Sequence, residues 1–120
     1  MGHTPSLLHR LTASAHRLDA DELRSQVDEL DCMPVETVRH GDPVTVTGRI
    51  RAVVYTPSEH VPTLEAELYD GSGSMTLVWL GRRRIAGIEP GRRLVATGRV
   101  GFHDGRPAIY NPRYELQCAG

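Results

Sequence analysis

The side chains of this sequence that could do chemistry are fourteen arginines and six aromatic rings, and the chain contains no lysine. An arginine guanidinium presents a planar set of donors that fits phosphate groups and stacks on rings. Residues 81–114 hold eight arginines against Glu89 and Asp104, whereas residues 1–38 carry a net charge of −4. A GC-rich genome also encodes arginine where other genomes encode lysine, so the composition alone does not indicate a function. The clustering of the arginines is what indicates an anionic partner.

The sequence lacks the patterns of common catalytic and metal-binding sites. Residues 70–74, Asp-Gly-Ser-Gly-Ser, have no Lys-Ser/Thr pair as in a phosphate-binding loop. The six histidines are scattered, and Cys32 and Cys118 have no spacing typical of metal ligands. We therefore expect a protein that is not an enzyme, with no cofactor, no metal site and two reduced cysteines.

A hairpin and a repeated strand must position any functional side chains. Residues 64–80 form two alternating apolar and polar runs that meet at the Asp-Gly-Ser-Gly-Ser turn, which is typical of a β-hairpin. Residues 41–50 and 91–100 share a glycine turn, a strand and a Thr-Gly-Arg triplet. Because a glycine inside a strand marks a bend, Gly48 and Gly98 indicate the corners of a small closed barrel.

Alternation along the strands predicts which side chains point into this barrel. Trp79 and Phe102 share the inward parity of their strands. The inward set of the long strand at residues 44–55 is Val44, Val46, Ile50, Ala52 and Val54. The expected outward rings are Tyr55, Tyr69 and Tyr110. Five strands, the first long and bent, indicate an OB-type barrel in which Pro112 confines the last strand to an edge or a bulge.

The acidic N-terminal arm has helical spacing. Leucines and Ala15 recur at this spacing over residues 5–18, with Thr4 or Ser6 available as a cap. A second helical piece is predicted from Asp19 or Asp21 to Leu30, and Pro34 closes it. We favour an arm that packs across an open end of the barrel over one that binds a second copy or another protein.

Four segments of the chain resemble OB-fold nucleic-acid-binding domains. They are residues 44–50, 68–79, 90–100 and 111–116. The likeness is to small actinobacterial proteins of this type and, more distantly, to the wedge domain of RecG helicase and the C-terminal OB domain of bacterial replicative polymerases. It implies an all-β fold, a five-stranded OB-fold Greek-key barrel at residues 39–120, behind a short helical arm at residues 1–38.

The resemblance implies a binding groove. OB barrels hold single strands with basic side chains and with rings on which bases stack. The loops at residues 56–63 and 103–105 would edge the groove. The expected binding residues are Arg49, Arg51, Tyr69, Arg82, Arg83, Arg84, Arg99, Arg106, Tyr110 and Arg113. Cross-strand pairing with Glu65 or Glu67 competes for Arg49 and Arg51, and a merely solvated loop competes for residues 82–84.

The function that follows is sequence-tolerant binding of nucleic acid, single-stranded DNA before RNA, in support of DNA repair, recombination or replication. The alternative is a protein-interaction or oligomerisation module that uses the barrel edge and the N-terminal helix. Because no run of residues approaches the length of an apolar membrane span, we expect a cytoplasmic protein without a membrane partner.

Overall fold

The computed structural model describes residues 7–118, with the side chains of residue 15 and residues 17–118. The cap expected at Thr4 or Ser6 and the leucine side chains before residue 15 lie outside that description. The elements are α1 (Leu7–Glu29), a short 3-10 helix (Val35–Thr37), β1 (Pro43–Thr56), β2 (Thr63–Tyr69), β3 (Ser74–Leu80), β4 (Arg93–His103), β5 (Arg106–Tyr110) and β6 (Arg113–Leu116). No helix among the described residues is long and apolar enough to cross a bilayer.

The sheet closes on itself as a ring of five strands. The order is β1-β2-β3-β5-β4, and β4 pairs again with β1. The neighbours are antiparallel except for β3 and β5, which run parallel. The ring encloses a core of fully buried side chains that includes Val46, Leu68, Leu77, Leu94 and Ile109. A mostly β chain with this closed ring is consistent with an OB-like fold.

The repeated glycines lie at close approaches within the ring, as the sequence indicates. A Cβ atom on Gly48 would clash with the backbone carbonyl of Tyr69, on the strand paired with β1. A Cβ atom on Gly98 would clash with the Ile109 side chain, which is fully buried. Only glycine therefore lets these two strands bend tightly around the core.

A bulge in β1 makes part of the predicted strand parity wrong. The register with β2 shifts between Ile50 and Ala52. Val44, Val46 and Ile50 are buried as expected, but beyond the bulge the alternation reverses, since a bulge inserts one unpaired residue. Val54 is 52% exposed, Ala52 is only half-buried, and Tyr55 packs against the core instead of facing outward.

The last predicted strand is interrupted at Pro112 and forms two strands. β5 and β6 both pair antiparallel with β4, with Ile109 opposite Val100 and Arg113 opposite Thr97. The break falls at Asn111, whose φ of 48° is left-handed, and its side chain accepts a hydrogen bond from the Leu80 amide at 3.0 Å. Because proline cannot donate to a ladder, the pairing stops at Pro112 and resumes after it, which gives six strands where the sequence predicts five.

The N-terminal arm is one continuous helix, where two pieces were predicted. Asp19 and Asp21 lie within α1 and do not begin a second helix, because no proline or glycine interrupts residues 7–29. Leu23 and Val27 are fully buried, and α1 packs against β1. The arm therefore packs on the strands of the ring, whereas Leu30, just after α1, is 47% exposed.

The β2–β3 hairpin is confirmed, and Asp70 organises its turn. Asp70 is fully buried, and its carboxylate accepts hydrogen bonds from the amides of Ser72 and Gly73 at 2.8 and 3.0 Å. It also accepts one from the amide of Val35 at 2.7 Å. The turn and the 3-10 helix are therefore joined by a single carboxylate.

Trp79 and Phe102, the two rings expected in the core, differ in their exposure to solvent. Trp79 is 5% exposed, as predicted. Phe102 is 55% exposed, so its prediction is wrong. It lies at the end of β4 opposite Pro107, next to the turn, and its ring stacks on His40 at a centroid distance of 5.2 Å.

Candidate nucleic-acid interface

An arginine stacked on a tyrosine lies on the outer surface of β1 and β2. The Arg51 guanidinium carbon is 3.5 Å from the centre of the Tyr69 ring, which is cation–π geometry. The bulge in β1 turns Arg51 outward, and Tyr69 ends β2 on the same surface. The Arg51 side chain is 49% exposed, so its outer face remains open to a flat partner.

Acidic side chains share this surface. The nearest Glu67 carboxylate oxygen is 4.0 Å from Arg51, at the limit of an ion pair between exposed groups. Such a pair contributes little to stability, about 0–1 kcal/mol, because water screens both charges. Pairing with Glu67, which the sequence indicated as a competitor for Arg51, is therefore present but weak.

An acidic side chain of α1 pairs with Arg49, another of the predicted binding residues. Asp19 of α1 lies 2.9 Å from the Arg49 guanidinium, and Glu22 lies 2.8 Å from that of Arg93. The Arg93 hydrogen bond and charge lower the pKa of Glu22 from its usual value. Arg49 thus holds the helix on the ring in this structure, and Glu65 and Glu67 are not its partners here.

The run of arginines at residues 82–84 lies on the connector after β3. Ile85 and Ile88 are buried and anchor this connector on the core, so the preceding arginines remain exposed. Arg83 lies 5.6 Å from the Tyr55 ring, at the end of β1. The run therefore borders the β1–β2 loop at residues 57–62.

Arg99 and Arg113 line a shared groove along β1, β4 and β6. Arg99 donates a hydrogen bond of 2.6 Å to the Gly41 carbonyl, which holds it at the start of β1. Both side chains are exposed, as is Arg106 at the start of β5. The predicted arginines are thus distributed over several surfaces of the ring and do not form one continuous track.

Tyr110 faces outward as predicted, but it belongs to a cluster that the sequence does not reveal. Its hydroxyl lies 2.9 Å from Nδ1 of His103. Nε2 of the same imidazole contacts the Glu65 carboxylate and lies 3.5 Å from that of Asp104. Glu65 and His103 are far apart in sequence, so no spacing rule could have found this cluster. Only the closure of the ring brings them together.

Exposed aromatic surface also occurs at the stacked pair of His40 and Phe102, whose planes are 5° apart. Sequence parity placed Phe102 in the core and gave no signal for His40. Tyr114, half-open to solvent, meets Trp79 edge to face at 5.7 Å between ring centres. These rings widen the aromatic surface beyond the predicted set.

Both cysteines are free thiols, as expected. Cys32 is half-buried just after α1, and burial raises the pKa of its thiol, with a smaller effect from the charge of Asp31. Cys118 is exposed near the end of the described chain. A raised pKa keeps the Cys32 thiol protonated and unreactive at neutral pH.

Comparison with known proteins shows a similarity of fold to a solved structure. No family model matches the chain, and no curated protein sequence matches it. A solved structure of RecG bound to a three-way DNA junction is similar over 71% of this chain, with a TM-score of 0.58 and 23% sequence identity. The similar region is 12% of that RecG chain, so this protein corresponds to a small part of it.

Proposed function

We propose that this protein is an OB-fold nucleic-acid-binding protein that holds single-stranded DNA with little dependence on sequence. The observation that carries the proposal is the open Arg51–Tyr69 stack on the outer surface of β1 and β2. Bases stack on aromatic rings and on guanidinium planes whatever their identity, because every base has a flat face. Such binding would serve DNA repair, recombination or replication by holding a strand for another protein.

The strand order of the ring supports assignment to the OB-fold barrels. In such barrels the outer surface of the second and third strands, with the loops after strands one and four, takes oligonucleotides. Here the corresponding loops are residues 57–62 and the turn at Asp104. The similar RecG domain belongs to a protein solved with a DNA junction, which favours nucleic acid as the partner class.

The exposed arginines give the proposed contact with the phosphate backbone. Residues 82–84 border one of these loops, and Arg106 lies beside the other. Phosphate contacts position a strand and carry no sequence information. Arg83 and Arg106 lie near the Tyr55 and Glu65 end of the β1–β2 pair, whereas Arg51 and Tyr69 lie towards its other end. A bound strand would therefore run along this pair to reach both the phosphate contacts and the stack.

The test is a titration of a short fluorescent dT oligomer at two salt concentrations. We expect the affinity to fall with salt, by about 0.7 in log K per neutralised phosphate. Arg51→Ala should weaken binding by roughly tenfold, which corresponds to the loss of one stacked base at about 1–3 kcal/mol. Arg17→Ala, an exposed arginine on α1, is the matched control and should have little effect. The absence of dT binding at low salt would refute the proposal.

A protein-interaction role is the second candidate, and Leu18 favours it. This side chain is 68% exposed on α1, next to Asp19, which pairs with Arg49 of the ring. Single exposed leucines are normal on protein surfaces, so this role depends on whether Leu18 mediates self-association. Sedimentation of the wild type and of Leu18→Asp tests this role. A dimer that Leu18→Asp dissociates would support it, and a monomer in both proteins would contradict self-association.

A further inference from the structure

Three side chains with metal-ligating atoms converge on the outer surface of the ring. Glu65 lies on β2, His103 ends β4, and Asp104 begins the turn to β5. One ligand atom from each lies within 4.8 Å of the other two. Glu65 and His103 are mostly buried, with 22% and 25% of their side chains exposed. These ligands are therefore held in place to a degree that freely solvated charges are not.

The hydrogen bonds of Tyr110 define which nitrogen of His103 is available. The Tyr110 hydroxyl has one proton, and it donates a hydrogen bond to the Phe102 carbonyl at 3.2 Å. Its oxygen then accepts the proton of His103 Nδ1 at 2.9 Å. In this arrangement the lone pair of Nε2 points at the carboxylates of Glu65 and Asp104. Two arrangements fit these contacts: a cation between the three acceptors, or a second proton on Nε2 that pairs His103 with Glu65.

We propose that Glu65, His103 and Asp104 bind a divalent transition-metal ion, with Zn²⁺ as the best fit. Imidazole nitrogen and carboxylate oxygen are ligands that Zn²⁺ accepts, whereas Mg²⁺ and Ca²⁺ prefer oxygen alone. Tyr110 plays the part of the outer partner that fixes the tautomer of a ligating histidine. Three protein ligands leave a coordination position for water or for a ligand oxygen.

The turn between β4 and β5 places Asp104 beside His103. Asp104 and Gly105 have φ angles of 52° and 77°, which is the pattern of a two-residue hairpin turn with both residues left-handed. Aspartate and glycine are the residues that accept this turn. The turn lies at the edge of the outer surface that carries Glu65. A bound dication would cancel carboxylate charge on this surface and make it more favourable to anions.

Isothermal titration of the metal-free full chain with Zn²⁺ tests the proposal. We expect one site that His103→Ala abolishes and Glu65→Gln weakens at least tenfold, and that excess Mg²⁺ does not compete for. His60→Ala removes an exposed histidine of the β1–β2 loop and should leave the site intact. Circular dichroism checks that each variant is folded.

Two milder variants keep the test decisive if His103→Ala does not fold. Asp104→Asn changes an exposed side chain, and Tyr110→Phe removes only the hydroxyl that orients His103. Loss of such an outer partner typically weakens metal binding by about 10–100-fold. Equal Zn²⁺ binding by all variants would overturn the proposal. No binding by the wild type would also overturn it and would leave a protonated His103 paired with Glu65.

Discussion

Asp19 and Arg49 form an ion pair of 2.9 Å that joins the acidic helix to the ring. One residue expected to contact nucleic acid is therefore held by a carboxylate of the same chain. Glu22 and Arg93 repeat this arrangement one turn further along α1. The helix thus covers basic side chains of β1 and β4 with charges that repel phosphate, and we expect its contacts to affect both stability and the proposed binding of nucleic acid.

Asp19→Asn should strengthen binding of a dT oligomer several-fold, because it frees Arg49 and removes a negative charge. The free energy of unfolding should fall by less than about 1 kcal/mol, since the pair is a third exposed. Fluorescence anisotropy measures the first effect and urea unfolding the second. Asp21→Asn, on the exposed side of α1, is the control. An equal gain in both variants would show that only overall charge matters.

Asp70→Ala should destabilise the protein by about 3 kcal/mol. It leaves the buried amide of Val35 and the partly buried amides of Ser72 and Gly73 without their acceptor, and an unsatisfied buried group costs about 1–3 kcal/mol. Asp28→Ala, on an exposed position of α1, should change stability little. Chemical unfolding compares the two, and similar unfolding midpoints would contradict the role assigned to Asp70.

Gly48→Ala should lower the free energy of unfolding by about 1–3 kcal/mol, because the new methyl group meets the backbone of Tyr69. That backbone cannot move aside without disturbing the β1–β2 pairing. Gly101→Ala is the matched strand control, since its methyl group finds its nearest neighbour at 3.9 Å. Thermal unfolding of both variants gives the comparison. A Gly48→Ala protein as stable as Gly101→Ala would refute the close packing of the ring at this corner.

Phe102→Ala should destabilise the protein by less than about 1 kcal/mol, because an exposed ring loses little contact when it is removed. Leu94→Ala, in the same strand but fully buried, should cost about 2–5 kcal/mol. Urea unfolding of the two variants distinguishes them. If Phe102→Ala were the more damaging change, the ring would belong to the core, as the sequence parity suggested.

The Glu22–Arg93 pair should weaken in acid. Arg93 lowers the folded-state pKa of Glu22 below its usual 4.5, so the ionised form is preferred in the folded protein. Its stabilising contribution is complete above the unfolded-state pKa and is lost as the pH falls through the lower folded-state pKa. The melting temperature of the wild type should exceed that of Glu22→Gln near neutral pH, and the difference should vanish in strong acid. A difference that persists there would exclude ionisation of Glu22 as its cause.

Much of the fold could be predicted from local patterns. The β2–β3 hairpin follows from its alternation and turn residues, and the corners at Gly48 and Gly98 follow from glycine within strands. The buried side chains up to Ile50 follow from the period of two. These features depend on neighbours in sequence, so the sequence contains the information needed to predict them.

Features that depend on distant residues could not be predicted in this way. The bulge after Ile50 exchanges the roles of Val54 and Tyr55, and it arises from the register with β2. The partner of Arg49 is a helical aspartate thirty residues earlier in the chain. The exposed arginines could be predicted from the sequence, but their distribution over separate surfaces of the ring could not.

The sequence by itself determined the element types, the glycine corners and most of the apolar core, because side-chain periodicity and backbone preference act over a few residues. Only the tertiary structure decided which charges are paired and which ligands meet. Ring closure brings Glu65 to His103 and leaves Arg51 stacked and open on Tyr69. Those contacts depend on strand register and twist, which are set by the packing of the whole ring.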